Sequence, residues 1–225
     1  MVAEKKAFNI NIVNKRLTED EILAQAWIFF IAGHESTANT LAFCSYELAL
    51  NPECQEKLYE EVNSSVDSNG EISYETLTKL PYLDSVICET LRIYPPICRY
   101  LREAMTEHKL GDTGITLYKG QLVEIAAYAV HHSEEYYINP NKFDPERFMP
   151  ENRHEIIPYT YIPFGVGPRN CIGMRFSLLE AKLSLAQIVR RFKFVRSPET
   201  EVPLRFRTVT PILTAESLVV GIEKR

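Results

Sequence analysis

The sequence predicts a mainly α chain with a small β part, and three observations carry that prediction. A capped run from Thr18 to Leu50 is stopped by Asn51-Pro52. A second apolar helical pattern, rich in Leu, Ala and Ile, runs from Arg175 to Phe192. Between them, residues 100–130 turn to strand character, with Gly111-Asp112-Thr113-Gly114 and Lys119-Gly120 as turn signals. At 225 residues and 45% hydrophobic content, the chain is large enough to bury a core.

Residues 1–17 form a polar lead-in. Thr18-Glu19-Asp20-Glu21 is a capping box, in which the Thr hydroxyl and the Glu carboxylate satisfy each other's backbone N–H groups. The helix it opens has about 32 residues, roughly 48 Å at 1.5 Å per residue. Its middle, Trp27 to Ala32, is apolar all round, which predicts burial on every side. Asn51 and Pro52 start a second helix, as N-cap and first-turn proline, ending near Ser65. Asp67-Ser68-Asn69-Gly70 is a turn, and Ser73 to Leu80 a short helix. Pro81 opens a helix to Tyr94, where Pro95-Pro96 stops it. Strands are expected at Ile115–Tyr118 and Leu122–Ile125, and a short helix at Ser133–Ile138. Residues 149–163 lack periodicity, as functional loops often do. The proline-containing tail from Lys193 suggests short strands.

Composition removes several functions. A net charge of −5 argues against a nucleic-acid partner. Five cysteines, an odd number with no C-x-x-C pair, make neither a disulfide framework nor a zinc site, and suit a reducing compartment. His131-His132 lacks the i,i+4 spacing of a helical metal pair and is read as surface or core histidine. The longest apolar run, Ala26 to Gly33, is too short to cross a bilayer.

One stretch carries chemistry: Phe164-Gly165-Val166-Gly167-Pro168-Arg169-Asn170-Cys171-Ile172-Gly173. A thiolate is a soft ligand that needs a positive or hydrogen-bonding surround. Glycines at 165, 167 and 173 let backbone approach something flat and bulky. A helix beginning near Met174 adds positive potential at the sulfur, and Arg169 can reach an acidic group on the same ligand. A thiolate-ligated haem with propionates meets all these requirements. The plainer reading is a structural Cys in a turn before a helix.

The run resembles the haem-binding loop of the cytochrome P-450 family, F-x-x-G-x-R-x-C-x-G, at every fixed position. Three further stretches resemble the same family. Ala32-Gly33-His34-Glu35-Ser36-Thr37 is similar to A-G-x-[D/E]-T, with Ser36 in the place of the usual Thr. The resemblance implies that the long helix crosses the distal face of the haem. It also implies that Ala32 and Gly33 border the cofactor, and that Glu35, Ser36 and Thr37 relay protons to bound dioxygen. Ser is freer at χ1 than Thr, which loosens that aim. The alternative is a hydroxyl bonding the carbonyl four residues back. Glu89-Thr90-Leu91-Arg92 is similar to the family's E-x-x-R, and Phe143 to Phe148 to its P-E-R-F. The implied network is Glu89, Arg92 and Arg147, a structural triad bracing the cysteine loop, against the alternative of an exposed helix pair.

The resemblance also places Arg99 on a propionate, Ile97 to Leu101 along the substrate wall with Cys98 as a small apolar member, and Thr208 to Leu213 as a turn into the cavity. It implies that Cys171 is the iron ligand and that Phe164, Gly165, Arg169 and Gly173 line the haem. The fold implied is the C-terminal half of the family's fold: long central helix, E-x-x-R helix, meander, cysteine loop and following helix. Residues 1–225 would then be the C-terminal portion of one domain, without the N-terminal half and its membrane anchor. The implied function is a haem-thiolate monooxygenase. It inserts one oxygen atom from dioxygen into an apolar organic substrate, with electrons from NADPH through a flavoprotein reductase, at the endoplasmic reticulum membrane. Arg169, Arg175 and Lys182 are candidate contacts for that reductase, or simply a solvated face. Two alternatives stand beside it: a truncated, inactive or interfering haem-binding fragment, and a haem-thiolate isomerase or peroxide-using enzyme. The fragment reading expects the long helix to expose a sizeable apolar patch.

Overall fold

In the computed structural model, residues 16–208 and 212–225 are described. The longest element, α1, spans Glu19–Leu50 and starts with the expected capping box. The Thr18 N–H donates to Glu21 Oε2 at 2.8 Å, and the Glu21 N–H to Thr18 Oγ1 at 3.2 Å. Its C-terminal end is closed by Asn51, whose amide donates to the Glu47 carbonyl and carboxylate at 2.8 and 3.1 Å. Asn51 therefore gives its side chain to the helix behind it, and makes no side-chain cap on α2 (Pro52–Ser64), contrary to the sequence expectation.

After α2, Asp67 Oδ1 accepts from the N–H groups of Asn69 and Glu71, forming the expected turn. A single turn, α3 (Tyr74–Leu77), is capped by Ser73. The next helix, α4 (Pro81–Ile93), has Pro81 in its first turn and no side-chain cap of its own. Glu61 of α2 serves instead, its two carboxylate oxygens accepting from the N–H groups of Tyr82 and Leu83 at 2.8 Å each. A carboxylate here also opposes the positive end of the helix dipole.

The β part consists of two-stranded antiparallel sheets. Strands β1 (Tyr100–Glu103), β2 (His108–Lys109), β3 (Thr116–Leu117) and β4 (Leu122–Ile125) pair as β1–β4 and β2–β3. Register runs from Tyr100 opposite Ile125 to Glu103 opposite Leu122. The short helix expected at residues 133–138 lies earlier, as α5 (Ala127–His131), and 133–138 is a series of turns. The reason is tertiary: the Tyr128 N–H is held by the Cys98 carbonyl and the His131 ring is buried, so the helical turn forms where these anchors are. The helix after the cysteine loop, α6, spans Met174–Val189, and β5 (Phe192–Val195) pairs with β6 (Gly221–Lys224).

Helices α1, α2, α4 and α6 share one core, with Cys44, Leu48, Leu58, Val86, Ile87, Leu91, Leu185 and Val189 at its centre. Each of the leucine, isoleucine and valine side chains among these contributes about 1.5–3 kcal/mol on burial. Buried Gln55 closes the side facing β5. Its amide donates to the carbonyls of Leu48 and Phe194, and its oxygen accepts from the Phe194 N–H at 2.7 Å.

The expectation of all-round burial for residues 27–32 is overturned. Burial on α1 begins at Thr37, while Trp27, Ile28, Phe29 and Phe30 are each 54–65% exposed. All-round apolar character says that a surface needs cover. It does not say that this chain supplies it, and the shared core reaches only the C-terminal part of α1.

Candidate functional site: a cysteine loop braced by a buried ion network

The loop around Cys171 is folded by its own backbone. Gly165 donates to the Ile162 carbonyl at 3.0 Å, Asn170 to Gly167 at 3.1 Å, and Cys171 to Phe164 at 2.8 Å. Gly165 and Gly167 hold φ of 69° and 79°, where a side chain is strained. At Gly165 a Cβ would meet the Tyr100 ring at 3.6 Å, an ordinary contact, so the positive φ and not crowding is what selects glycine there. The Tyr100 hydroxyl lies 2.9 Å from the carbonyls of both Ile162 and Pro163, pinning the loop's entry to β1. Phe164 packs on the core, and α6 begins three residues after the cysteine, with Gly173 at its N-cap.

Cys171 is exposed, whereas Cys44 and Cys88 are buried and Cys54 and Cys98 half-buried. Burial pushes the thiols of Cys44 and Cys88 up to about 12 and raises those of Cys54 and Cys98. Burial therefore disfavours a thiolate at those four positions, and Cys171 is the cysteine placed to offer sulfur to an external ligand. A helix N-terminus behind the sulfur and an exposed thiol on glycine-shaped backbone fit a flat group carrying a thiophilic metal.

The predicted triad is brought together. Arg92 and Glu89 form a two-pronged pair, Nε to Oε2 at 2.7 Å and Nη2 to Oε1 at 2.8 Å, with both side chains fully buried. Arg147 Nε stands 3.4 Å from Glu89 Oε1. The remaining donors and acceptors face the meander: Arg92 donates to the carbonyls of His131 and Pro140 at 2.8 Å, and the Asp144 N–H donates to Glu89 at 2.9 Å. Arg147 donates to the Ile138 and Asn139 carbonyls. The triad thus clamps residues 131–144 directly, and reaches the cysteine loop through a residue with no assigned role in the sequence reading.

That residue is His131. Its ring is fully buried, with Nδ1 3.0 Å from the Arg92 carbonyl and Nε2 accepting from the Ile162 N–H at 2.9 Å. Desolvation lowers its pKa to about 4. The only signal in the sequence was a histidine pair without metal spacing, which points to no partner.

On the long helix, Gly33 borders space unfilled by any described residue. The Ser36 hydroxyl donates to the Ala32 carbonyl at 2.6 Å, the local bond weighed as the alternative for this residue. Thr37 Oγ1 is buried with no hydrogen-bond partner among the described residues, and Glu35 is exposed. Arg99 is largely exposed and 3.6 Å from Glu124. Arg169 and Arg175 are exposed, but Lys182 is not a surface contact: it is buried, with Nζ 2.7 Å from Asp84 Oδ1. Of the predicted turn at 208–213, residues 209–211 lie outside those described.

The family model described as Cytochrome P450 matches residues 2–219. Over 212 residues the chain is 46% identical to thromboxane-A synthase of Rattus norvegicus, covering 94% of this chain and 39% of that protein. It is 44% identical over 218 residues to the probable cytochrome P450 6a14 of Drosophila melanogaster, covering 94% and 42%. With the human cytochrome P450 3A7 it shares 40% identity over 212 residues, covering 94% and 42%. The chain spans about two fifths of the length of these relatives.

Proposed function

Because the chain belongs to the cytochrome P450 family, we propose that it is the C-terminal portion of a haem-thiolate monooxygenase domain, with Cys171 as the iron ligand. The observation that carries this reading is the exposed Cys171 on a glycine-shaped loop at the start of α6. When bound, haem supplies the iron and redox chemistry of inserting one oxygen atom into an apolar organic substrate, the other leaving as water. The electrons come from NADPH through a flavoprotein reductase at the endoplasmic reticulum membrane. No helix among the described residues is long and apolar enough to cross a membrane.

The polypeptide's part is to hold and orient. Phe164, Gly165 and Gly173 shape the surface beside the sulfur, and Arg169 and Arg99 supply cations for propionates. Ala32 and Gly33 would border the group, and a Cβ at Gly33 meets nothing within 4 Å among the described residues. Glu35, Ser36 and Thr37 provide the acid and hydroxyl groups of a proton relay. Glu89, Arg92 and Arg147 brace the assembly.

Two observations favour further readings. The exposed patch at Trp27 to Phe30 favours an isolated chain that binds haem weakly or interferes with a longer form. The Ser36 hydroxyl, already donated to Ala32, favours a haem-thiolate isomerase or peroxide user, whose chemistry needs no relay. The relatives matched include a synthase as well as proteins named only as cytochromes P450.

The test is the spectrum of the reduced, carbon-monoxide-treated chain after haem reconstitution. Thiolate ligation through Cys171 gives a far-red-shifted Soret band that Cys171→Ser abolishes. A shifted band that survives in Cys171→Ser overturns the assignment of the ligand. If no band forms, the weakly binding fragment is the correct reading of the isolated chain. An NADPH requirement in a full-length form separates monooxygenase from isomerase.

A further inference from the structure

We propose that His131 is a positioning residue, a two-ended strap that carries the order of the Glu89–Arg92 pair into the loop bearing Cys171. The strap is a property of the polypeptide; its relevance to haem rests on the function proposed above.

The hydrogen bonds fix its direction and its proton. Ile162 presents a backbone N–H to Nε2 at 2.9 Å, so Nε2 must hold a lone pair. At 3.0 Å from the Arg92 carbonyl, Nδ1 must then carry the hydrogen and donate. One tautomer of the neutral ring satisfies both partners. Arg92 is tied to Glu89 on one side and to the His131 carbonyl on the other, so helix α4 and His131 hold each other through two bonds in opposite senses. Beyond the imidazole, the Ile162 carbonyl accepts from Gly165 and lies 2.9 Å from the Tyr100 hydroxyl. Gly165 opens the loop that closes with Cys171 donating to Phe164. An unbroken chain of hydrogen-bonded or adjacent backbone groups therefore runs from the buried ion pair to the cysteine.

The groups around the ring do not offer a substitute. The Tyr161 ring stacks on it at 5.7 Å between centroids, and His132 follows it in the chain. The nearby ionised group is the Arg92 guanidinium, itself paired with Glu89. A second proton on the ring would set an Nε2–H against the Ile162 N–H, two donors facing each other in a buried place. The low basicity of this ring agrees with that geometry.

The test compares backbone amide hydrogen exchange in the whole chain with His131→Phe and His131→Gln. Phenylalanine fills the space without bonds. Glutamine can accept from Ile162 through Oε1 and donate to Arg92 through Nε2. In His131→Phe, exchange at Ile162, Gly165 and Cys171 is expected to rise at least about fivefold, the factor for one lost hydrogen bond, while Val86 to Leu91 in α4 stay protected. His131→Gln should restore most of the protection. Lowering the pH through about 4 should loosen the same loop amides in the wild type. The Gln protein should lack that step; carboxylates such as Glu89 are present in both, so the difference isolates the imidazole. Unchanged loop exchange in His131→Phe overturns the proposal. So does loosening of α4 to the same degree as the loop with no recovery in His131→Gln, which is mere loss of core packing. The carbon-monoxide spectrum is read separately: loop amides that respond as expected in a chain without a shifted band retain the strap and refute only the ligand assignment.

Discussion

Lys182 Nζ lies 2.7 Å from Asp84 Oδ1, so the helix after the cysteine loop is pinned to the helix that carries Glu89 and Arg92. Arg153 reaches the other oxygen of the same carboxylate at 3.3 Å. Removing one partner of a buried pair costs about 3–5 kcal/mol. Here Asp84 is 23% exposed and keeps Arg153, so Lys182→Met is expected to cost about 2 kcal/mol, read as a lower urea midpoint at constant slope.

Arg92 and Arg147 should not be equivalent. The first is fully buried and makes two bonds to Glu89 and three to the carbonyls of His131, Pro140 and Lys142. The second is 16% exposed and 3.4 Å from Glu89. Arg92→Ala is expected to cost about 3–5 kcal/mol and to yield protein without haem. Arg147→Ala should cost less than half as much, because Glu89 keeps its principal partner. Urea unfolding ranks the two, and haem content after reconstitution shows whether the clamp matters to the site. An Arg92→Ala protein that loads haem normally would contradict the bracing role.

Thr37 offers a test in which stability and activity move in opposite directions. Its buried hydroxyl lacks a partner among the described residues, and a group left so costs about 1–3 kcal/mol. Thr37→Val should raise the stability of this chain by about 1 kcal/mol. In a full-length form, Ser36→Ala with Thr37→Ala should release peroxide at the expense of product, if these hydroxyls carry the relay. Unchanged coupling removes the relay.

The pH dependence of folding should show His131. Its pKa falls from 6.5 to about 4 on folding, so between those values the unfolded chain binds the extra proton. Stability from this group is fully present above pH 6.5 and is lost as pH falls toward 4, by about 3 kcal/mol in all. Buried Glu47 acts in the opposite sense. Desolvation raises its carboxyl above 4.5, so stability declines as pH rises through its folded pKa, the bond from the Tyr94 hydroxyl reducing the effect. The curve for the wild type minus that for His131→Gln isolates the imidazole.

The motifs were legible because each is local. The capping box, the proline stops and the Glu89–Arg92 spacing put partners within one helical turn, where backbone geometry alone brings them together. The glycines at 165 and 167 were legible for the same reason. Reading the Trp27 to Ala32 run as buried went wrong because hydrophobicity measures the need for cover and carries no information about its source. The surface role considered for Lys182 went wrong because a charge in sequence does not reveal a carboxylate 98 positions away.

The sequence by itself determined the long helices, though not the short one at Ala127–His131, and the candidate ligand and the family, since these depend on residue type and short spacing. Only the tertiary structure decided what holds the ligand loop in place. Glu61 capping α4, Gln55 closing onto β5 and His131 joining Arg92 to Ile162 are bonds between groups 21 to 139 positions apart. A buried polar group must find its partner in space, and the folded path of the chain selects which one it meets.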